Sequence, residues 1–318
     1  MATIGTDLAY ARQLLDKDEL VAIPTETVYG LAGKAISEKA VLRIFQTKNR
    51  PSFDPLIAHT DSIEKIAGFV TEIPTRAADL ASAFWPGPLT ILLDRSPLIP
   101  DIVTSGLHRV AVRIPSHPLT LSLLRSLEYP LAAPSANPFG YVSPTAAQHV
   151  QNNLGDKISY ILDGGECQVG VESTIVGFEN DELIVYRLGG LTIEDLEEVA
   201  GPVTVKNNQS SNPTAPGMIK SHYSPSKPLT LLSREAMHEK SKSDNDSFGF
   251  ITFSHISHKI TNHYPLTKTN DLNEAATKLF AALRYFENQS VNHIYAETVP
   301  DHGLGRAIND RLQRAAAR

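Results

Sequence analysis

The segment KNRPSFDPL, residues 48–56, sets Lys48 and Arg50 two residues apart and ahead of a proline. Pro51 biases Arg50 toward extended backbone, so the two cations are expected to project to one side, as alternate residues of a strand do, toward one anion. A solvated helix end would use the same pair to offset its dipole. A second segment, LAAPSANPFGYVSPT at 131–145, carries Ser135 and Asn137 into a proline-rich loop with free backbone amides. Ser143 followed by Pro144 reads there as an N-cap opening a helix, and helix amino-termini favour anions. A rigid Lys/Arg pair and a Ser/Asn loop together suit a triphosphate.

A third stretch, IPTETVYGLAG at 23–33, ends a strand in Thr25, Glu26, Thr27 and Tyr29. Open α/β sheets hold ligands at such carboxyl ends. VESTIVGF places Ser173 and Thr174 beside another strand, and Arg113 in VAVRIP is a charge inside an apolar run, where a buried salt bridge and a ligand carboxylate are both open as its partner. Other motifs carry less. YGLAGKA has two residues between Gly30 and Gly33 and an alanine after Lys34, so it lacks the spacing and the hydroxyl of a Walker loop. GLG at 303–305 fits a turn before the last helix. The histidines of HISHKITNH have no cysteine or carboxylate pattern beside them and read as a loop, so no metal site is assigned. There is no GxSxG, and the lone Cys167 has no base beside it, which disfavours acyl-enzyme chemistry.

These residues need elements to position them. LVAIP at 20–24, LTILL at 89–93, RVAVRIP at 109–115, ISYILD at 158–163 and LIVYR at 183–187 read as strands. Asp7 and Ser37 cap two amphipathic helices, TDLAYARQLLDK and SEKAVLRIFQTK. The alternation predicts an α/β domain over residues 1–205. Residues 206–228 show neither periodicity and read as an extended linker. Beyond it, 229–318 reads as a smaller α/β domain with strands LTLL, SFGFITF and NHIYAE, a helix in DLNEAATKLFAALRYFEN and a loop in SKSDNDS.

Composition bounds the rest. With 318 residues, two domains are expected; 42% hydrophobic and 20% charged residues are those of a folded globular chain. One cysteine allows no internal disulfide, which fits a reducing cytoplasm, and no secretion signal or membrane span is read. The net charge of −6 disfavours long nucleic acid as the main ligand.

The ordered set KNRP, PSANPFGYVSPT, PTETVYGLAG and ESTIV resembles the YrdC-like L-threonylcarbamoyladenylate synthases over residues 5–205, and PGMIKSHYSP with GLGRAINDRLQRAA resembles their two-domain form. The resemblance implies a YrdC-like twisted mixed sheet with flanking helices, followed by a smaller Rossmann-like α/β domain. It implies that L-threonine, bicarbonate and ATP, with Mg2+ on the triphosphate, yield threonylcarbamoyl-AMP and pyrophosphate for threonylcarbamoyl-adenosine in tRNA. It further implies a transient hand-off to the tRNA threonylcarbamoyl transferase. By resemblance, Lys48, Arg50, Ser135 and Asn137 surround the phosphates, and Thr25, His59, Arg113 and Thr174 surround threonine. Ser143 and Arg187 contact the nucleotide, while Pro216, Gly217, Met218, His222 and Tyr223 form a lid whose deletion is expected to leave the first domain folded. The chain departs from the pattern at Asp54, where an asparagine is usual, at Phe139, and at Ile219 and Ser221. A double-stranded-RNA module is the competing class, and the acidic balance and absence of aromatic RNA motifs oppose it. Carbamoyl transfer of the hydrogenase-maturation kind would require zinc-finger cysteines, which one cysteine cannot supply.

Overall fold

The computed structural model describes residues 1–206, 215–218, 222–243, 245–256 and 260–317. The chain forms two compact units. The first comprises 1–139, 143–168 and 172–219, and the second comprises 140–142, 169–171 and 220–318.

The first unit runs β1 (Thr3–Gly5), α1 (Leu8–Asp16), β2 (Val21–Ile23), β3 (Gly30–Lys34), α2 (Glu38–Lys48), β4 (Ile57–His59), α3 (Ile63–Ile66), α4 (Thr75–Phe84), β5 (Leu89–Asp94) and α5 (Asp101–Thr104). It continues through β6 (Arg109–Arg113), α6 (Pro118–Arg125), β7 (Leu131–Ala132), α7 (Ala147–Leu154), β8 (Tyr160–Leu162), β9 (Thr174–Glu179), β10 (Glu182–Arg187), α8 (Ile193–Ala200) and β11 (Thr204–Val205). Among the described residues its strands make one 11-stranded mixed sheet in the order β1-β8-β2-β3-β7-β4-β6-β5-β9-β10-β11. The two expected caps form: Asp7 accepts the Tyr10 N–H, and Ser37 accepts the Ala40 N–H. α1 turns Ala11 and Leu15 onto the sheet, and α2 turns Val41, Ile44 and Phe45.

Three local expectations change. Lys48 is still helical, and Asn49 closes α2 in the left-handed region at φ 52°, a conformation asparagine tolerates well. The chain therefore turns between Lys48 and Arg50 instead of running through them as a strand. Ser143 does not cap a helix: α7 starts at Ala147, and the Ser143 hydroxyl donates to the buried Glu172 carboxylate at 2.6 Å. YGLAGKA becomes β3, and Gly33 packs closely, a Cβ there lying 2.9 Å from Leu20 Cδ2 and 3.2 Å from Ile44 Cδ1.

The second unit contains β12 (Leu229–Leu232), α9 (Arg234–Ser241), β13 (Phe248–Thr252), β14 (His263–Pro265), α10 (Leu272–Glu287), β15 (His293–Glu297) and α11 (Leu304–Ala316). Its four strands are all parallel, in the order β12-β15-β13-β14. The stretch expected as a linker is divided between the units: 215–218 belongs to the first and 222–228 to the second. Residues 207–214 and 219–221, which include Ile219 and Ser221, lie outside the described residues.

Candidate active site

Lys48 is 1% exposed, and its ammonium donates to the Ser135 carbonyl at 2.5 Å and to the Asn137 carbonyl. The loop it holds is fixed from the other side by Tyr29 and the start of β3, through the Ala136 N–H to Tyr29 O at 2.8 Å and the Leu31 N–H to Pro134 O at 2.7 Å. Lys48, Ser135 and Asn137, far apart in sequence, are thereby brought together. Arg50 turns back on its own loop, Nε donating to Asp54 O at 3.0 Å and Nη2 to Pro55 O at 2.8 Å. Its guanidinium also pairs with the Asp54 carboxylate at 2.8 Å, and the Phe139 ring lies 6.0 Å away.

His59 and Arg113 are register partners on the parallel strands β4 and β6, so their side chains share a face. Arg113 donates from Nη2 to Glu26 at 2.6 Å and from Nε to Gly87 O at 3.2 Å; the other Glu26 oxygen accepts the Ser116 N–H at 3.1 Å. Of the two partners open to Arg113, the structure thus contains the salt bridge. His59 contacts Ile57 O through Nδ1 at 3.1 Å, and burial, then the Arg113 charge, push its pKa down to about 3. Its imidazole is therefore neutral at neutral pH.

The remaining polar residues brace loops. The Thr25 hydroxyl donates to Val28 O at 2.7 Å and accepts the Val28 N–H at 3.2 Å, closing the turn between β2 and β3. The Thr174 hydroxyl donates to Leu191 O at 2.5 Å. Arg187 at the end of β10 donates to Ser173 O and Ser173 Oγ, each at 3.0 Å, and to Pro216 O at 3.4 Å. Ala215 and Met218 are buried in a cluster with Ile57, Leu92, Ala111, Ile175, Ile184 and Tyr186. Because strand residues two apart share a face, Pro216–Met218 covers the side of the sheet that carries His59 and Arg113. His222 and Tyr223 belong to the second unit: the His222 N–H donates to Arg314 O at 3.3 Å, and Tyr223 stacks on Phe280 with centroids 5.4 Å apart. The five residues expected to form a lid thus fall into two buried groups. Deleting residues 212–225 would remove Ala215 and Met218 from that buried cluster.

Electrostatics tie these pieces into one place. Asp54 is fully buried, and burial pushes its carboxyl up, against Arg50, the Gly217 N–H, Lys48 and Arg187, which all favour its charged form. Arg187 also acts on His59. Burial, then Arg50, hold the Lys48 ammonium well below the ordinary lysine range. Four nearly buried cationic side chains, Lys48, Arg50, Arg113 and Arg187, thus meet three buried carboxylates, Glu26, Asp54 and the Ser143-bound Glu172. That positive excess suits an anion. Glu26 and Glu172 were missed as site members; each stood inside a quoted polar stretch, but its partner lies on a distant element. Burial raises the Cys167 thiol, the opposite of an activated nucleophile. Among the described residues no group of three or more His, Cys, Asp or Glu is placed to hold a metal ion.

Residues 13–189 match the family described as "Telomere recombination", and residues 191–317 match the one described as "Threonylcarbamoyl-AMP synthase, C-terminal domain". A threonylcarbamoyl-AMP synthase of Pyrococcus abyssi is 40% identical over 96% of this chain and 93% of its own length. The chain belongs to the threonylcarbamoyl-AMP synthase family. The family's Bacillus subtilis member is 38% identical over 99% of this chain and 94% of its own length. A crystal structure of P. abyssi Sua5 complexed with L-threonine matches with a TM-score of 0.93 at 36% identity, covering 99% of this chain and 97% of that one. As a family member the chain is an enzyme, and its fold is the YrdC-like mixed sheet followed by a smaller α/β domain.

Proposed function

We propose that the chain condenses L-threonine, bicarbonate and ATP into L-threonylcarbamoyl-AMP, releasing pyrophosphate. The observation that carries this reading is the buried positive excess around Lys48, Arg50, Arg113 and Arg187, in a chain related end to end to threonylcarbamoyl-AMP synthases. The threonine amine adds to the carbon of CO2 formed by dehydration of bicarbonate, one C=O π pair moves onto oxygen, and the nitrogen loses a proton to solvent, giving a carbamate. A carbamate oxygen then attacks the α-phosphorus, and the bond from that phosphorus to the bridging oxygen breaks, the electron pair leaving with pyrophosphate. Charge moves among oxygens and no side chain becomes bonded, so the protein contributes position and field.

Lys48, Arg50, Ser135 and Asn137 supply that field at the phosphates. Two of the Lys48 donors hold the 135–137 loop, and the third is left for a phosphate oxygen. Ser143 and Arg187 serve the nucleotide. Thr25, His59, Arg113 and Thr174 serve threonine, which the P. abyssi relative was crystallised with. Arg113 spends one side of its fork on Glu26 and keeps further N–H groups for a carboxylate. Pro216–Met218 excludes water from a carbamate and a mixed anhydride, both of which water destroys. Mg2+ would be carried by the phosphate oxygens and water and would offset the triphosphate charge. The product passes transiently to the tRNA threonylcarbamoyl transferase in the cytoplasm, with no stable nucleic-acid complex.

Pyrophosphate release, measured with each substrate left out in turn and with the product mass recorded, tests this. Release is expected only when threonine, bicarbonate and ATP are all present. Release that continues without threonine or without bicarbonate rejects the reading.

A further inference from the structure

The parallel sheet of the second unit contains a topological switch. From β12 the chain crosses to β13, two positions away, and from β14 it crosses back to β15, between them. Right-handed crossovers in opposite directions place α9 and α10 on opposite faces of the sheet. α11, which follows β15, packs on α10 and β12. The neighbouring strands β12 and β15 therefore send their following helices to opposite faces, which opens a crevice at their carboxyl ends. Open parallel sheets bind ligands at this point.

A cavity of about 220 Å³ occupies that crevice, lined by Arg234, His238, Ser254, His255, Ile256 and Glu297. It is lined by both signs of charge. Glu297, the last residue of β15, is 3% exposed, and its Oε2 accepts the Phe253 N–H at 2.9 Å. Its Oε1 lies 3.6 Å from Arg234, which also donates to Ser254 Oγ at 3.4 Å. Arg234 is thus aimed from below by a carboxylate and a hydroxyl while most of its side chain faces outward. His238, one turn along α9, and His255, after β13, stand beside it. The Glu297 carboxyl on the floor can accept from hydroxyl donors, and Arg234 with two imidazoles at the rim can donate to an oxyanion.

We infer that this crevice is a second ligand site, apart from the buried cations of the first unit, for a small phosphorylated polyol of the ribose-phosphate class, its phosphate on Arg234, His238 and His255 and its hydroxyls on Glu297 and Ser254. Titration calorimetry of the full chain with ribose 5-phosphate tests it, with inorganic phosphate as the companion probe. Saturable one-to-one binding is expected, at least tenfold tighter than for inorganic phosphate. Arg234→Gln is expected to weaken it tenfold or more, and Glu297→Gln to weaken ribose 5-phosphate alone; threonine-dependent pyrophosphate release remains unchanged in both. Absence of ribose 5-phosphate binding overturns the site, as does binding that both variants leave intact. Equal affinity for the two probes overturns the assignment of Glu297 to a polyol. Since Arg234 is largely exposed, its variant keeps the test open should Glu297→Gln fail to fold.

Discussion

Lys48 keeps its ammonium in a place where burial opposes the charge, and the reason lies in what it holds. Its removal would orphan two buried carbonyls, a cost of about 1–3 kcal/mol for each unpaired group, so Lys48→Ala is expected to destabilise the fold. His59 offers a separable test. Its folded pKa of about 3 lies below the ordinary value of 6.5, so below pH 6.5 the unfolded chain binds a proton that the folded chain refuses. Its contribution is therefore complete above pH 6.5, falls as pH drops, and is lost through about 3. By pH 5 the loss amounts to roughly 2 kcal/mol. Urea unfolding at pH 7.5, 6 and 5 is expected to show that slope in the native chain and a shallower one in His59→Gln; identical slopes would refute the buried neutral imidazole. That Lys48, Ser135 and Asn137 are brought together agrees with reading their types as one polar cluster. The pairing of Arg113 with Glu26 was not legible, because those residues lie 87 positions apart and only the strand order brings them together.

Elements carried by a strong local rule were legible. α10 puts Ala275, Ala276, Leu279 and Leu283 at helical spacing and buries all of them, and the caps at Asp7 and Ser37 start their helices as read. β4 and β7 were not legible, since strands of three and two residues show no period and exist by virtue of their neighbours. α7 begins at Ala147, and the Ser143 hydroxyl read as its cap is engaged by Glu172, a partner 29 residues away. Gly170 makes a sharper case at this scale. It adopts φ +78°, and a Cβ there would lie 2.3 Å from Thr277 Cα and 2.5 Å from Ala276 O, both backbone atoms of α10. A helix backbone cannot yield as a side-chain tip can. Gly170→Ala combines that overlap with a left-handed penalty and is expected to destabilise the second unit by about 3 kcal/mol. Guanidinium unfolding monitored in that unit checks this, and a change below about 0.5 kcal/mol would show that the close approach is not held in solution.

At the scale of the whole chain, the order of the large sheet was beyond local reading. β1 pairs with β8, Thr3 opposite Tyr160, so a strand at the start of the chain finds its partner more than a hundred residues later. The two-unit division has the same character. Residues 140–142 and 169–171 leave the first unit's sequence to pack within the second, where Arg284 donates to Val142 O and lies 5.1 Å from the Tyr141 ring. No composition shift marks such short excursions, unlike the Pro- and Ser-rich stretch after residue 206. A fragment of residues 1–219 tests the consequence. It retains the 11-stranded sheet and its core, but Val142 and Val171, both fully buried in the intact chain, lose the residues they pack on in the second unit. Burying one valine stabilises by about 1.5–3 kcal/mol, so the fragment is expected to fold with its transition weakened by about 3 kcal/mol relative to the intact chain. Adding a separate 222–318 fragment should recover part of that loss by binding the two exposed excursions. A 1–219 fragment as stable as the same region in the intact chain, and indifferent to the added partner, would show that the excursions contribute nothing to holding the fold.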